Sequence, residues 1–316
     1  MTGFPAQGIR QMSPPNPKVN LDELLANAQL AALPQSAIRL LELSQDPNNG
    51  PNEFAVPIES DPGLTSQVLR FVNSSYFGFS REIASVRLAI TLVGIRTIKN
   101  FALWSAVFNL MPNPKCGPFD LRSLWQDSLR RGLFARAFGK ILGLRDTEEL
   151  FAAALLQDMA IPLLAKELGP RYAELLQSRA GGRRLSDLER EAFGWTHANV
   201  GAAMARAWRL PESFAELIQS HTELERWLAG EKTTPGNVAV AFASELPSAA
   251  DQDWPSRERF AKAYQQLTKP DALPLEKLLG QIDKEFDEFA PVLKITKPSR
   301  TLVQLFSGAP TAAPKK

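Results

Sequence analysis

The chain has 316 residues, 44% hydrophobic and 22% charged, with 36 basic against 34 acidic side chains and a formal net charge of +2. That length can bury one large core or two packed subdomains, and the near balance of charge excludes the basic face of a nucleic-acid-binding protein. Cys116 is the only cysteine, which excludes an intrachain disulfide and makes a reducing cytoplasm the expected compartment.

The start, MTGFPAQGIRQMSPPNPK, lacks the basic and apolar regions of a signal peptide. Residues 1–20 are expected to be a disordered tail, being rich in Pro, Gly, Gln and Asn. In LPQSAIRLLELSQD (33–46), Pro34 lies near a helix start, with Ile38, Leu41 and Leu43 as an inward stripe. In SDPGLTSQVLRFVNSS (60–75), Asp61 is a natural N-cap and Pro62 a natural first helical residue. NSSYFGFSREI (73–83) reads as an aromatic connector that pins two helices. SVRLAITLVG (85–94) is a short helix ended by Gly94, and IRTIKNFALWSAVFNL (95–110) is a longer one. Its apolar part falls short of the roughly 20 residues of a membrane span.

PNPKCGP (112–118) cannot continue a helix and marks a boundary. SLWQDSLRRGLFARAFGKIL (123–142) is amphipathic. DTEELFAAALLQDMAIPLLAKEL (146–168) is broken by Pro162, which removes the amide that would bond the carbonyl of Asp158. A kink or a junction of two helices is expected there. SDLE (186–189) has capping-box spacing. THANVGAAMARAW (196–208) and PESFAELIQSH (211–221) are two helices joined by the brief Arg209–Leu210 connection, which is short enough for an antiparallel helical hairpin. Further amphipathic helices such as LEKLLGQIDKEFDEF (275–289) follow. The expected fold is all-α, a multi-helix bundle of two packed subdomains at 21–112 and 119–245. A C-terminal extension at 246–300 and a disordered tail at 301–316 complete the expected organisation.

His197 and His221 are the only histidines. Apolar residues share a helix face with each, so both point inward. His197 opens one helix of the hairpin and His221 closes the other, so the pair can meet with Asp158 nearby. Two imidazoles and carboxylates can hold zinc, manganese or iron. Equally, inward histidines at helix ends bond backbone or neighbouring side chains without any metal.

The run from Asp61 to Leu103, with DPGLTSQVLRFVNSS, the YFG turn, I-x-S-V-x-x-A-I and LVG in order, resembles the HDOD domain family. That family is a divergent branch of the HD metal-dependent phosphohydrolase superfamily. The likeness continues through LWQDSLRRGLFARAF, LFAAALLQDMAIPLL and LEREAFGWTHANVGAAMARAWRLPESFAELIQSH, covering about residues 29–245. The resemblance implies an HD-like second subdomain with a pocket at Asp127, Gln157, Asp158, His197, His221 and Ser244. Asp127 falls where a first metal-binding histidine is expected, Gln157 replaces the histidine of the His-Asp pair, and Asp158 matches its aspartate. His197 and His221 fall near additional histidine positions, and Ser244 stands where a later aspartate is expected. An amide is a poorer ligand than imidazole for such ions, so the site is expected to be vestigial, without metal or cofactor. Asp158 is then expected to bond backbone freed by Pro162. The alternative is a rewired metal set of Asp127, Asp158, His197 and His221.

The pairs Arg96/Lys99 and Arg130/Arg131 read as solvated helix faces, and Cys116 reads as a bystander. The expected function is a non-catalytic bacterial signalling module that binds signalling proteins, not nucleic acid or membrane, with the C-terminal helices setting partner choice. The alternatives are a metal-dependent phosphohydrolase with altered ligands and a cyclic-dinucleotide sensor without turnover.

Overall fold

Short polar side chains start the first helices as their positions require. Asn20 caps α1 (Leu21–Asn27) by accepting from the Asp22 and Glu23 amides. Asp61 accepts from the Leu64 amide ahead of α4 (Pro62–Val72), and Ser85 from the Leu88 amide ahead of α5 (Val86–Val93). With α2 (Gln35–Leu43), α3 (Pro51–Glu59) and α6 (Ile95–Leu110), these build the N-terminal part of the chain. In α2 the inward stripe is Ala37, Leu40, Leu41 and Leu43, with Ile38 only partly buried. The computed structural model describes residues 19–179 and 183–308, and no strand occurs among them. The part of the expected N-terminal tail before Val19 lies outside the described residues. Val19 itself is engaged, its carbonyl accepting from Trp195 Nε1 at 2.8 Å.

The second part is built on α7 (Leu121–Ile141), which packs against α8 (Thr147–Leu156) and α15 (Pro235–Ser244). Gly132 makes the α7–α8 approach possible, because a Cβ there would lie 2.9 Å from Leu155 and 3.1 Å from Phe151. Between them in sequence run α9 (Ala160–Leu168), α10 (Pro170–Gln177), α11 (Leu185–Phe193), α12 (His197–Ala207), α13 (Glu212–Ser220) and α14 (Leu224–Leu228). The 112–118 connector is not detached from this body: Cys116 is buried and its Sγ donates to the Gly169 carbonyl at 3.2 Å.

The two parts meet through α6 against α8, where Asn100 Nδ2 donates to the Glu148 carbonyl at 3.2 Å. An aromatic series continues the seam, with Trp104 5.0 Å from Phe108 and Phe108 4.2 Å from Trp125, centroid to centroid.

The C-terminal extension, α16 (Arg257–Leu267) and α17 (Leu275–Phe289), belongs to the core. Phe289 from α17 touches Tyr76 and Phe71 of the first part and Phe151 of the second, at centroid distances of 4.5, 5.6 and 6.1 Å. Arg136 is buried beside it, donating to Glu285 at 2.7 Å with its guanidinium 4.6 Å from the Tyr76 ring and 4.7 Å from that of Phe151. Tyr76 and Phe77 therefore do pin helices together, while Phe79 stays 37% exposed.

The expected tail at 301–316 needs correction. A further helix, α18 (Leu302–Ser307), lies inside it, with Leu302 and Leu305 buried. Asp283 of α17 accepts from the Leu302 and Val303 amides at 2.9 and 3.0 Å, placing a carboxylate at the helix start. A six-residue helix is unstable alone, and this tertiary anchor is what local composition did not disclose. Residues 309–316 lie outside the described residues.

Because Phe289 joins three packed segments, Phe289→Ala is expected to cost about 3–5 kcal/mol. Urea denaturation measures this, and a loss under about 1 kcal/mol would contradict the anchoring role.

Candidate functional site

Gln157, Asp158 and Met159 fill the junction between α8 and α9. The Asp158 carbonyl accepts from the Ile161 amide at 3.0 Å, so the backbone beside Pro162 is satisfied by a tighter turn. That frees the Asp158 side chain, and the expectation that it bonds freed backbone is overturned. Its carboxylate instead ion-pairs through Oδ2 with Arg131 Nη1, and Oδ1 lies 3.3 Å from His197 Nε2 and 3.5 Å from His221 Nε2.

The helical hairpin forms as its sequence suggests, turning through Arg209 at φ 56°. Gly201 sets its depth: a Cβ there would lie 2.9 Å from Ile218 and 3.6 Å from the Gln157 carbonyl. This close approach lays the start of α12 beside the end of α13 and both beside the Asp158 junction. The two imidazoles meet with Nε2 atoms 3.0 Å apart.

Their outer nitrogens decide their charge. His221 Nδ1 lies 2.6 Å from the Ile218 carbonyl, an acceptor only, so it carries the proton and Nε2 presents a lone pair. His197 Nδ1 lies 2.6 Å from Glu189 Oε2, which also accepts from the His197 backbone amide at 2.8 Å. Tyr172 donates to the other Glu189 oxygen at 2.5 Å. His197 thus faces a carboxylate on one side and the His221 lone pair on the other, an arrangement that favours imidazolium. Burial works against that charge, but Glu189 and then Asp158 prevail and raise its pKa to about 9. Burial lowers the His221 pKa, and the charge on His197 adds to the effect. For Asp158 burial is likewise the largest influence and opposes ionisation, yet Arg131 and the histidines hold it well below the usual carboxylate range.

Glu189 and Tyr172 were not expected at the site. Ser186 sits within α11 and caps nothing, because the helix begins at Leu185; Glu189, the last residue of the apparent capping box, is fully buried under His197. Arg130 and Arg131 do not form a solvated face either. Arg130 is buried and donates to the Arg300 carbonyl, while Arg131 turns to Asp158. Arg96 does sit at the surface, paired with Asp146.

The remaining candidates are nearby but otherwise engaged. Asp127 accepts from Ser248 Oγ at 2.8 Å and the Ala249 amide at 2.5 Å, and burial raises its pKa. Ser244 Oγ lies 2.8 Å from the His221 carbonyl and 2.7 Å from that of Ala241. Gln157 is fully buried, and neither atom of its amide has a partner among the described residues. All six residues line one cavity of about 620 Å³.

Of the four residues considered as a rewired metal set, Asp158, His197 and His221 bring ligand atoms within 4.8 Å of one another, and Asp127 is not among them. Nε2, Nε2 and Oδ1 form a triangle of 3.0, 3.3 and 3.5 Å edges, compatible with one divalent ion at about 2.0–2.2 Å from each. Both imidazoles are oriented by acceptors on their far nitrogens, the usual support for ligating histidines. By residue type and spacing the set fits a single ion once His197 gives up its Nε2 proton, although Arg131 already neutralises its carboxylate.

An all-helical domain with paired histidines and an aspartate in a buried cavity is the class that fold and site define. The family model for the HDOD domain matches residues 30–224, and the chain belongs to the HDOD family. An uncharacterized protein of Treponema pallidum (strain Nichols) is 24% identical over 232 residues, 67% of this chain. The chain spans 41% of that relative's length. An HDOD domain protein of Geobacter sulfurreducens has a TM-score of 0.61 at 20% identity, covering 92% of this chain and 88% of that one. A candidate phosphohydrolase of Shewanella amazonensis SB2B gives 0.65 at 20% identity, covering 87% and 96%. A candidate signal transduction protein of Marinobacter aquaeolei VT8 gives 0.57 at 19% identity, covering 90% and 61%. These structures share the fold.

The His197–Glu189 pair has a pH signature. A pKa raised from 6.5 to about 9 stabilises the fold fully below pH 6.5, and this contribution disappears as pH rises through about 9. His221, whose pKa is lowered, acts oppositely and destabilises the fold as pH falls below 6.5. Denaturation of the wild type is expected to show a stability loss on the order of 3 kcal/mol between pH 6.5 and 9, largely absent from Glu189→Gln. Equal pH slopes for the two proteins would contradict the pairing.

Proposed function

We propose that this chain is a non-catalytic regulatory module that acts in bacterial signalling by binding other proteins. One observation carries the reading: Arg131 and the two histidines already occupy Asp158, while the other positions that the HD resemblance assigns to metal are neutral or committed elsewhere. Gln157 and Ser244 bring no charge, and Asp127 is bonded to Ser248 and Ala249. A hydrolase of this superfamily needs a firmly held cation to activate water or polarise phosphate, and these substitutions weaken that hold. The neighbour from Marinobacter aquaeolei, described as a signal transduction protein, supports the setting. Leu88 and Leu92, one turn apart on α5, remain 44% and 47% exposed and supply apolar surface of the kind protein contacts use. Packing of α17 into the core argues against a detachable C-terminal segment that only selects partners.

The triangle of Asp158, His197 and His221 favours a second reading, a phosphohydrolase with a single ion on those residues. A bound ion there would supply Lewis acidity toward a phosphoryl oxygen or water. His221 would contribute the Nε2 lone pair that now faces His197, and Glu189 would orient His197.

Incubation of the purified full chain with an activated phosphodiester and added Mn²⁺ or Zn²⁺ separates the two. No release above the buffer rate is expected. Turnover that a chelator abolishes and that His221→Ala lacks would contradict the non-catalytic reading.

A further inference from the structure

We propose that Arg131 is a resident counter-cation of the Asp158–His197–His221 cluster, standing in for a divalent ion and limiting its entry. The inference rests on the reading of the pocket as non-catalytic and adds the residue that keeps it so.

The Asp158 carboxylate is divided between two tasks. Oδ1 faces both imidazole Nε2 atoms, and Oδ2 meets the Arg131 guanidinium. Both side chains are largely withdrawn from water, with 4% of Asp158 and 13% of Arg131 accessible. A divalent ion on Oδ1 would sit against a fixed positive charge across one carboxylate, and at low dielectric that repulsion is large. Either the guanidinium withdraws or the ion binds weakly.

The arginine is not seated as a purely structural partner would be. Only Nη1 contacts Asp158, not the paired fork that gives arginine–carboxylate contacts their strength. Arg131 Nε is buried with no partner among the described residues. The Gln157 amide, lining the same cavity, has none either. Unspent donors and acceptors beside a one-point ion pair describe a cation that can be exchanged. Its neighbour Arg130 also leaves buried nitrogens, Nε and Nη1, without a partner among the described residues, but it is set apart by direction: it turns away from the pocket to the Arg300 carbonyl and lies over Phe286 at 5.9 Å.

Removing a buried cation leaves its carboxylate uncompensated. A divalent ion can then bind Asp158 without competition from the guanidinium, displacing only the proton that His197 and His221 share, and its binding stabilises the fold by mass action. The sign is therefore unusual: loss of a polar residue at the pocket improves metal binding. A merely structural Arg131 predicts the opposite, because loosening Asp158 would spoil the ligand triangle.

The test compares full-length wild type, Arg131→Met and Arg131→Lys by calorimetric titration with Zn²⁺ or Mn²⁺ alone, and by thermal melts with and without each ion. Arg131→Met is expected to bind a single ion about tenfold or more tightly than wild type and to melt higher when loaded. Arg131→Lys, which keeps the charge, is expected to stay near wild type, and Arg131→Met with His221→Ala is expected to lose the gain. Arg131→Met binding no more tightly than wild type would overturn the proposal. Should that variant fold neither with nor without ion, Arg131→Gln takes its place under the same criterion. Because the readout is affinity, phosphodiester turnover by wild type would refute the non-catalytic reading separately.

Discussion

Asp158 is a carboxylate that the fold has taken out of water, and the arrangement around it balances that charge. A buried ion without compensation costs several kcal/mol, so α7 must deliver Arg131 and the α12–α13 hairpin must deliver His197 and His221 to the same few ångströms. The close approaches at Gly132 and Gly201 exist where those helices converge on it. Glu189 and Tyr172 then continue the balance outward, the carboxylate of one matching the charge of His197 and the hydroxyl of the other completing the hydrogen bonding.

The same groups explain why the pocket is suggestive of metal and why, on the proposed reading, it resists one. Oriented histidines and an aspartate are the components of a cation site, and here they are present with their supporting acceptors. What differs is that a proton between His197 and His221 and a guanidinium on Asp158 supply the positive charge. Hydrolysis within the HD superfamily depends on an ion that can ionise water, whereas a guanidinium and an imidazolium can only neutralise and orient. A pocket filled from within is what the proposed non-catalytic role, with its work at the surface, would require.

Much of this was legible in the chain itself. Asp61 and Gly94 mark helix limits by local chemistry, and the placement of His197 and His221 about a short connector allows them to meet. Pro162 announces the junction that carries Asp158. What could not be read is anything set by long-range packing. Arg131 looks like half of a solvated basic pair until α8 is laid against α7, and Glu189 looks like a capping residue until α11 is seen to start one residue before Ser186. Burial of α17 and α18, joined to the rest by Phe289 and Asp283, is likewise invisible to composition. The family resemblance located the pocket; only packing showed which of its residues touch.

The claim on which the account depends is that the histidine pair is held by a proton and Asp158 by Arg131. Two-bond proton–nitrogen NMR correlation on ¹⁵N-labelled protein at neutral pH reads the state of both rings directly. The account predicts one doubly protonated ring, His197, and one neutral ring with its proton on Nδ1, His221. Two neutral rings whose Nε2 shifts move on chelation would contradict it.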